Sequence, residues 1–111
     1  MRNLLALALA LVVTSCTSAG ASASPVATDR VDLPPSYRFD PVAITVPAGA
    51  SVTWTNSDNF SHSVQFQGEP APGLVMRPGE EVTRTFEDPG SFPYVCTFHA
   101  QDMTGTVLVT E

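Results

Sequence analysis

A single histidine, His62, is followed much later by Cys96, His99 and Met103. The last three lie within one short segment, Tyr94-Val95-Cys96-Thr97-Phe98-His99-Ala100-Gln101-Asp102-Met103. Two imidazoles, one thiolate and one distant thioether are the donor set of a mononuclear type 1 copper centre, because together they suit both Cu(I) and Cu(II). A geometry acceptable to both states keeps structural change small when an electron moves. The chemistry expected is therefore one-electron transfer rather than hydrolysis. Each residue alone has an ordinary explanation: a polar residue at a strand end, a buried thiol, a packing methionine. Taken jointly and in this order, His62, Cys96, His99 and Met103 read as metal ligands.

Ligands so far apart in the chain need a rigid frame. His62, Val64 and Phe66 alternate with polar residues and share one strand face, and Phe92, Tyr94 and Cys96 share another. Both faces are expected to point inward. A tight loop from Cys96 to Met103 then gathers His99 and Met103 about the same point, and Gly105 is expected to let the chain turn into a last strand over 106–110. Further strands are expected around Ile44 and Val46, around Val52 and Trp54, and over 82–86. Pro47-Ala48-Gly49 and Asp88-Pro89-Gly90 read as turns, and Asn56-Ser57-Asp58-Asn59 and residues 68–73 as loops. No segment carries a helical apolar stripe of useful length. The fold class is all-β, a small Greek-key β-sandwich or barrel. Trp54, Tyr94 and Met76 are assigned to the core, and Asp58, Asp102 and the Glu80-Glu81 pair to solvated surface.

The first residues read differently. Met1-Arg2-Asn3 is a short basic start, and Leu4 to Val13 is an unbroken apolar run, too short to span a bilayer as a mature helix. Residues 1–15 are read as an export signal peptide. Val13-Thr14-Ser15-Cys16 resembles a bacterial lipoprotein cleavage box, in which Cys16 carries lipid and becomes the new N-terminus; an ordinary signal peptide cut near Ala19 to Ala23 is the plainer alternative. Lipid on one cysteine and metal on the other leaves neither for a bridge, although a Cys16–Cys96 disulfide is the other use of two cysteines in an exported chain. Residues 16–36, rich in Ala, Ser, Thr and Pro, are read as a flexible tether, and 37–111 as the folded domain.

Among 111 residues there is no lysine, and the formal net charge is −6; without Arg2, four arginines against eleven acids leave −7. With no basic cluster, nucleic acid is excluded as a partner, and so is attachment to anionic lipid by charge. Membrane contact would fall to acyl chains on Cys16.

The segments Ala43-Ile44-Thr45-Val46-Pro47-Ala48-Gly49, Val52-Thr53-Trp54-Thr55-Asn56, Pro78-Gly79-Glu80-Glu81, Asp88-Pro89-Gly90 and Tyr94-Val95-Cys96-Thr97-Phe98-His99, together with His62, resemble the cupredoxins of the plastocyanin, amicyanin and pseudoazurin group. The resemblance covers nearly all of 37–111. It implies one copper ion cycling between Cu(I) and Cu(II), no enzymatic activity, and a monomer. It also implies redox partners such as cytochromes or copper enzymes, docking through an apolar patch at the exposed edge of His99. Phe60, Phe98, Ala100 and Pro70-Ala71-Pro72 would supply that patch. Two features depart from the family pattern. Three residues separate His99 from Met103, where close relatives have two or four, and Ser63 stands where relatives often have an asparagine that braces the ligand loop.

The leading functional reading is an electron shuttle tethered to a membrane in the cell envelope, periplasmic or on the outer face. The runner-up is a copper-binding module for delivery, buffering or resistance, which would more often carry Met- or His-rich tracts. A copper oxidase or reductase needs a further copper centre, and the chain has only two histidines.

Overall fold

The structure is a computed structural model that describes residues 24–111. The expected signal peptide over 1–15 and the lipid-bearing Cys16 lie outside the described residues. Among the described residues there are nine strands: β1 (Val26–Ala27), β2 (Arg30–Leu33), β3 (Ala43–Pro47), β4 (Ala50–Asn56), β5 (His62–Phe66), β6 (Leu74–Met76), β7 (Glu81–Phe86), β8 (Gly90–Val95) and β9 (Thr104–Thr110). A 3-10 turn, Thr97–His99, lies between the last two.

The strands form two sheets. One has six strands in the order β1-β3-β9-β8-β5-β6, and the other has three in the order β2-β4-β7. Strand β3 runs parallel to β9, joining Ala43 to Thr106 and Pro47 to Thr110. Strand β8 is antiparallel to both β5 and β9. The all-β sandwich expected from alternation is therefore the fold observed.

Alternation decides which face is buried. On β4, Val52, Trp54 and Asn56 point inward while Ser51 is exposed; on β9, Gly105, Val107 and Val109 point inward. Aromatic rings fill the space between the sheets. Tyr94 meets Phe39 at 4.7 Å, Trp54 at 5.4 Å and Phe66 at 5.4 Å between centroids, mostly edge to face. Such pairs each contribute about 0.5–1.5 kcal/mol beyond the area they bury. Tight turns join the strands where glycine supplies a positive φ, as at Gly49 (φ 89°) between β3 and β4.

Two expectations require correction. The domain begins well before Tyr37. Residues 26–33, read as tether, form β1 and β2, with β1 parallel to β3 and β2 parallel to β4. Val31 and Leu33 are buried in the core, so this segment contributes apolar surface that its flanking composition concealed. Gly105 makes no turn: it lies inside β9, paired with Tyr94 on β8. A Cβ at this position would come within 2.5 Å of the Tyr94 phenol ring, so the glycine makes room for the central aromatic side chain.

Candidate metal centre

The centre is assembled at one end of the sandwich. His62 opens β5, and Cys96 immediately follows β8, which is hydrogen-bonded to β5. Their inward faces therefore meet. Nδ1 of His62 lies 3.7 Å from Sγ of Cys96, and both side chains are fully buried. The backbone N–H of Ser63 donates to the same sulfur at 3.3 Å. An N–H donated to sulfur favours negative charge there, as a thiolate ligand requires.

The loop after Cys96 is held by its own backbone. Cys96 N–H donates to Met103 O at 3.0 Å, and the N–H groups of Asp102 and Met103 both donate to His99 O at 3.0 Å. His99 and Met103 are thereby folded back towards Cys96. The His99 ring is half-buried, with its centroid 5.7 Å from that of His62. Met103 is fully buried. Among the described residues, no three His, Cys, Asp or Glu side chains are drawn close enough to cage a metal. The structure thus brings His62 and Cys96 together and places the His99 ring beside His62. Cys96 carries a free thiol.

Ser63, which stands where relatives often have a bracing asparagine, braces the ligand loop with its own hydroxyl. Oγ of Ser63 accepts the backbone N–H of Thr97 at 2.8 Å, tying β5 directly to the ligand loop. The Thr97 hydroxyl also donates to Gln65 Oε1 at 2.5 Å and lies 3.1 Å from Pro72 O, which fixes the 70–72 segment beside the same loop.

Asp58, assigned to solvated surface, is buried instead, and its Oδ2 accepts the Nε2 proton of His62 at 2.8 Å. Asn56 builds the loop that turns it inward. Fully buried, Asn56 donates from Nδ2 to Phe60 O at 2.8 Å and Met76 O at 3.1 Å, and its Oδ1 accepts the N–H of Asp58 at 3.0 Å. The other Asp58 oxygen accepts the N–H of Asn59 at 2.7 Å. The carboxyl is held below its ordinary pKa, chiefly by the hydrogen bond from His62. Burial acts in the opposite direction, and the Asn59 N–H and the charges of His62 and His99 reinforce the lowering. A signal for this was present: Asn56 to Asn59 is a run of side chains that fold onto nearby backbone, which can turn one of them inward.

Tyr37 was also absent from the candidate residues. Its ring packs edge-on against His99 at 4.5 Å and against His62 at 6.0 Å, and stacks beside Phe60 at 6.0 Å. Tyr37, Phe60 and Phe98 are exposed at this end of the molecule.

A family profile described as copper binding proteins, plastocyanin/azurin family, matches residues 34–110. Amicyanin-alpha of Methylorubrum extorquens is 31% identical over 117 residues, which covers 95% of this chain and 97% of that protein. The chloroplastic plastocyanin of Tetradesmus obliquus is 35% identical over 83 residues, covering 64% of this chain; the match spans only 57% of that plastocyanin's length. The crystal structure of amicyanin from Paracoccus versutus superposes with a TM-score of 0.68 at 28% identity, covering 78% of this chain and 85% of that one.

Proposed function

Because this chain belongs to the plastocyanin/azurin family of copper-binding proteins, electron carriers that hold one copper ion, we propose that His62, Cys96, His99 and Met103 hold that ion. The observation that carries the assignment is the 3.7 Å approach of His62 Nδ1 to Cys96 Sγ, in a buried site where Ser63 N–H already donates to the sulfur. Nε2 is occupied by Asp58, so Nδ1 is the nitrogen available to a metal. Copper bound there supplies a one-electron couple. The protein's part is to hold the donors in nearly one arrangement for both oxidation states.

In this reading the protein performs no substrate chemistry of its own. It carries single electrons between larger redox proteins, such as cytochromes or copper enzymes, in the cell envelope, tethered to the membrane by lipid on Cys16. Electrons enter and leave through the half-buried His99, where the exposed rings of Tyr37, Phe60 and Phe98 offer an apolar docking surface. Such a surface recognises partners largely by shape and apolar contact, consistent with a patch rich in aromatic anchors.

The test is optical. Protein loaded with Cu(II) should show an intense thiolate-to-copper absorption and a type 1 EPR spectrum, and should bleach and recover reversibly on reduction and reoxidation. Fully loaded, oxidised protein that stays colourless would end this reading. Colourless protein that holds Cu(I) and passes it readily to a chelator would favour copper delivery instead. Cys96→Ala should abolish the absorption.

A further inference from the structure

We infer that Asp58 is a positioning residue for the copper couple: its buried carboxylate fixes His62 in the tautomer that presents Nδ1 and strengthens that nitrogen as a donor to Cu(II). The inference rests on the ligand assignment above and deepens it.

Three observations support it. First, the contact is direct, with Asp58 Oδ2 2.8 Å from His62 Nε2. A carboxylate can only accept there, so the single proton of a neutral imidazole stays on Nε2, and the lone pair of Nδ1 faces Cys96 Sγ. Second, the carboxylate is held in place. Asn56 Oδ1 holds the N–H of Asp58, Asn59 N–H holds Oδ1, and Asn56 itself is tied to Phe60 and Met76. The carboxylate cannot turn away without breaking its bonds to both Asn59 N–H and His62 Nε2. Third, the pair is out of water: His62 is 0% and Asp58 only 6% exposed. Solvent and salt screen such a charge far less than they would at the surface.

The electronic consequence has a definite sign. A carboxylate that accepts the far N–H of a ligating imidazole pulls that proton partly away and places negative charge near the metal. The imidazole becomes more basic at its ligating nitrogen. The more highly charged ion gains more from this, so Cu(II) is favoured over Cu(I) and the reduction potential falls. Loss of such an outer partner commonly lowers metal affinity about 10- to 100-fold.

Two variants separate charge from position. Asp58→Asn keeps an acceptor oxygen of similar reach but removes the charge, whereas Asp58→Ala removes both. The copper-loaded Asp58→Asn protein should keep its colour while its reduction potential rises. The rise should be about 59 mV for each tenfold loss of Cu(II) affinity relative to Cu(I). An unchanged potential would overturn the electronic role. The tautomer is read without copper, by nitrogen-15 NMR of the metal-free parent protein. His62 should carry its proton on Nε2 in the parent and populate both tautomers in Asp58→Ala. A proton on Nδ1 in the metal-free parent would overturn the positioning role, even if neither variant folds. The NMR reading is independent of the function proposed above. A parent that never colours would defeat that function, while the NMR result would still decide what Asp58 does to His62.

Discussion

Ser63 Oγ accepts the backbone N–H of Thr97 at 2.8 Å, while the backbone N–H of the same serine donates to Cys96 Sγ at 3.3 Å. One residue therefore ties β5 to both the sulfur and the start of the ligand loop. Ser63→Ala removes the hydroxyl, with its bond from Thr97 N–H and its long 4.0 Å contact to Cys96 Sγ, and leaves the Thr97 N–H short of a partner in a part-buried position. The expected loss is about 1 kcal/mol, within the usual cost of an abandoned donor, with the copper absorption retained because the shorter bond to sulfur, at 3.3 Å, comes from backbone. Urea titration of the two proteins measures it. Equal midpoints would mean that the hydroxyl is no brace.

Gly105 faces Tyr94 across the β8–β9 pair, and an added Cβ would lie 2.5 Å from the phenol carbon and oxygen. The ring is wedged among Phe39, Trp54 and Phe66 and has little room to retreat. Gly105→Ala should therefore destabilise the fold by about 1–3 kcal/mol, the typical cost of overpacking. A thermal melt lowered by several degrees is the expected result. An unchanged melting temperature would show that the ring can shift freely.

The Tyr94 phenol is pushed up to about 12, mainly by burial, with the nearby Trp54 indole N–H partly opposing the shift. Neither polar atom has a well-formed hydrogen bond. An unfolded tyrosine ionises near pH 10. Between pH 10 and about 12 the unfolded chain releases a proton that the folded chain keeps, so stability falls as pH rises. The slope is about 1.4 kcal/mol per pH unit, or about 3 kcal/mol across the window, and it ends above the folded value. Tyr94→Phe should remove this component of alkaline unfolding while changing stability little at pH 7. Denaturation midpoints from pH 8 to 12 test the difference between the two proteins. Parallel curves would argue against a buried neutral phenol.

Phe98 is 50% exposed next to His99. Phe98→Asp should slow electron exchange with a redox partner by about tenfold or more, the size of one interface anchor lost. The absorption spectrum should stay nearly intact, because Phe98 is not a candidate ligand. Stopped-flow exchange with a cytochrome or a copper enzyme measures the rate. An unchanged rate would place docking elsewhere.

The sequence made the frame legible wherever strands were long and alternating. Trp54, Tyr94, Val64 and Phe66 were assigned inward from period-two patterns and are buried. The approach of His62 to Cys96 was legible for the same reason, since both positions fall on inward strand faces. Residues 26–33 were not legible. Their two strands are short, pair in parallel with strands distant in sequence, and follow a stretch rich in small residues, so no local pattern announces them. Asp58 was missed because its burial depends on Asn56 satisfying three backbone groups at once, a tertiary arrangement that loop composition alone does not reveal. Gly105 suggests a turn in the sequence because glycine is most often informative through its φ, whereas here it is informative through the ring opposite.

Lacing of the first strands into both sheets also sets how the molecule bears mechanical load. A pull on the chain at residue 24 first meets the two-residue pairing of β1 with β3, which yields easily. It then meets β2, held along Arg30–Leu33 in parallel against β4, with Val31 and Leu33 anchored in the core. Leu33 aligns with Asn56, the residue that supports the Asp58 loop, so the strand that leads out of the N-terminal segment is built onto the histidine end of the site.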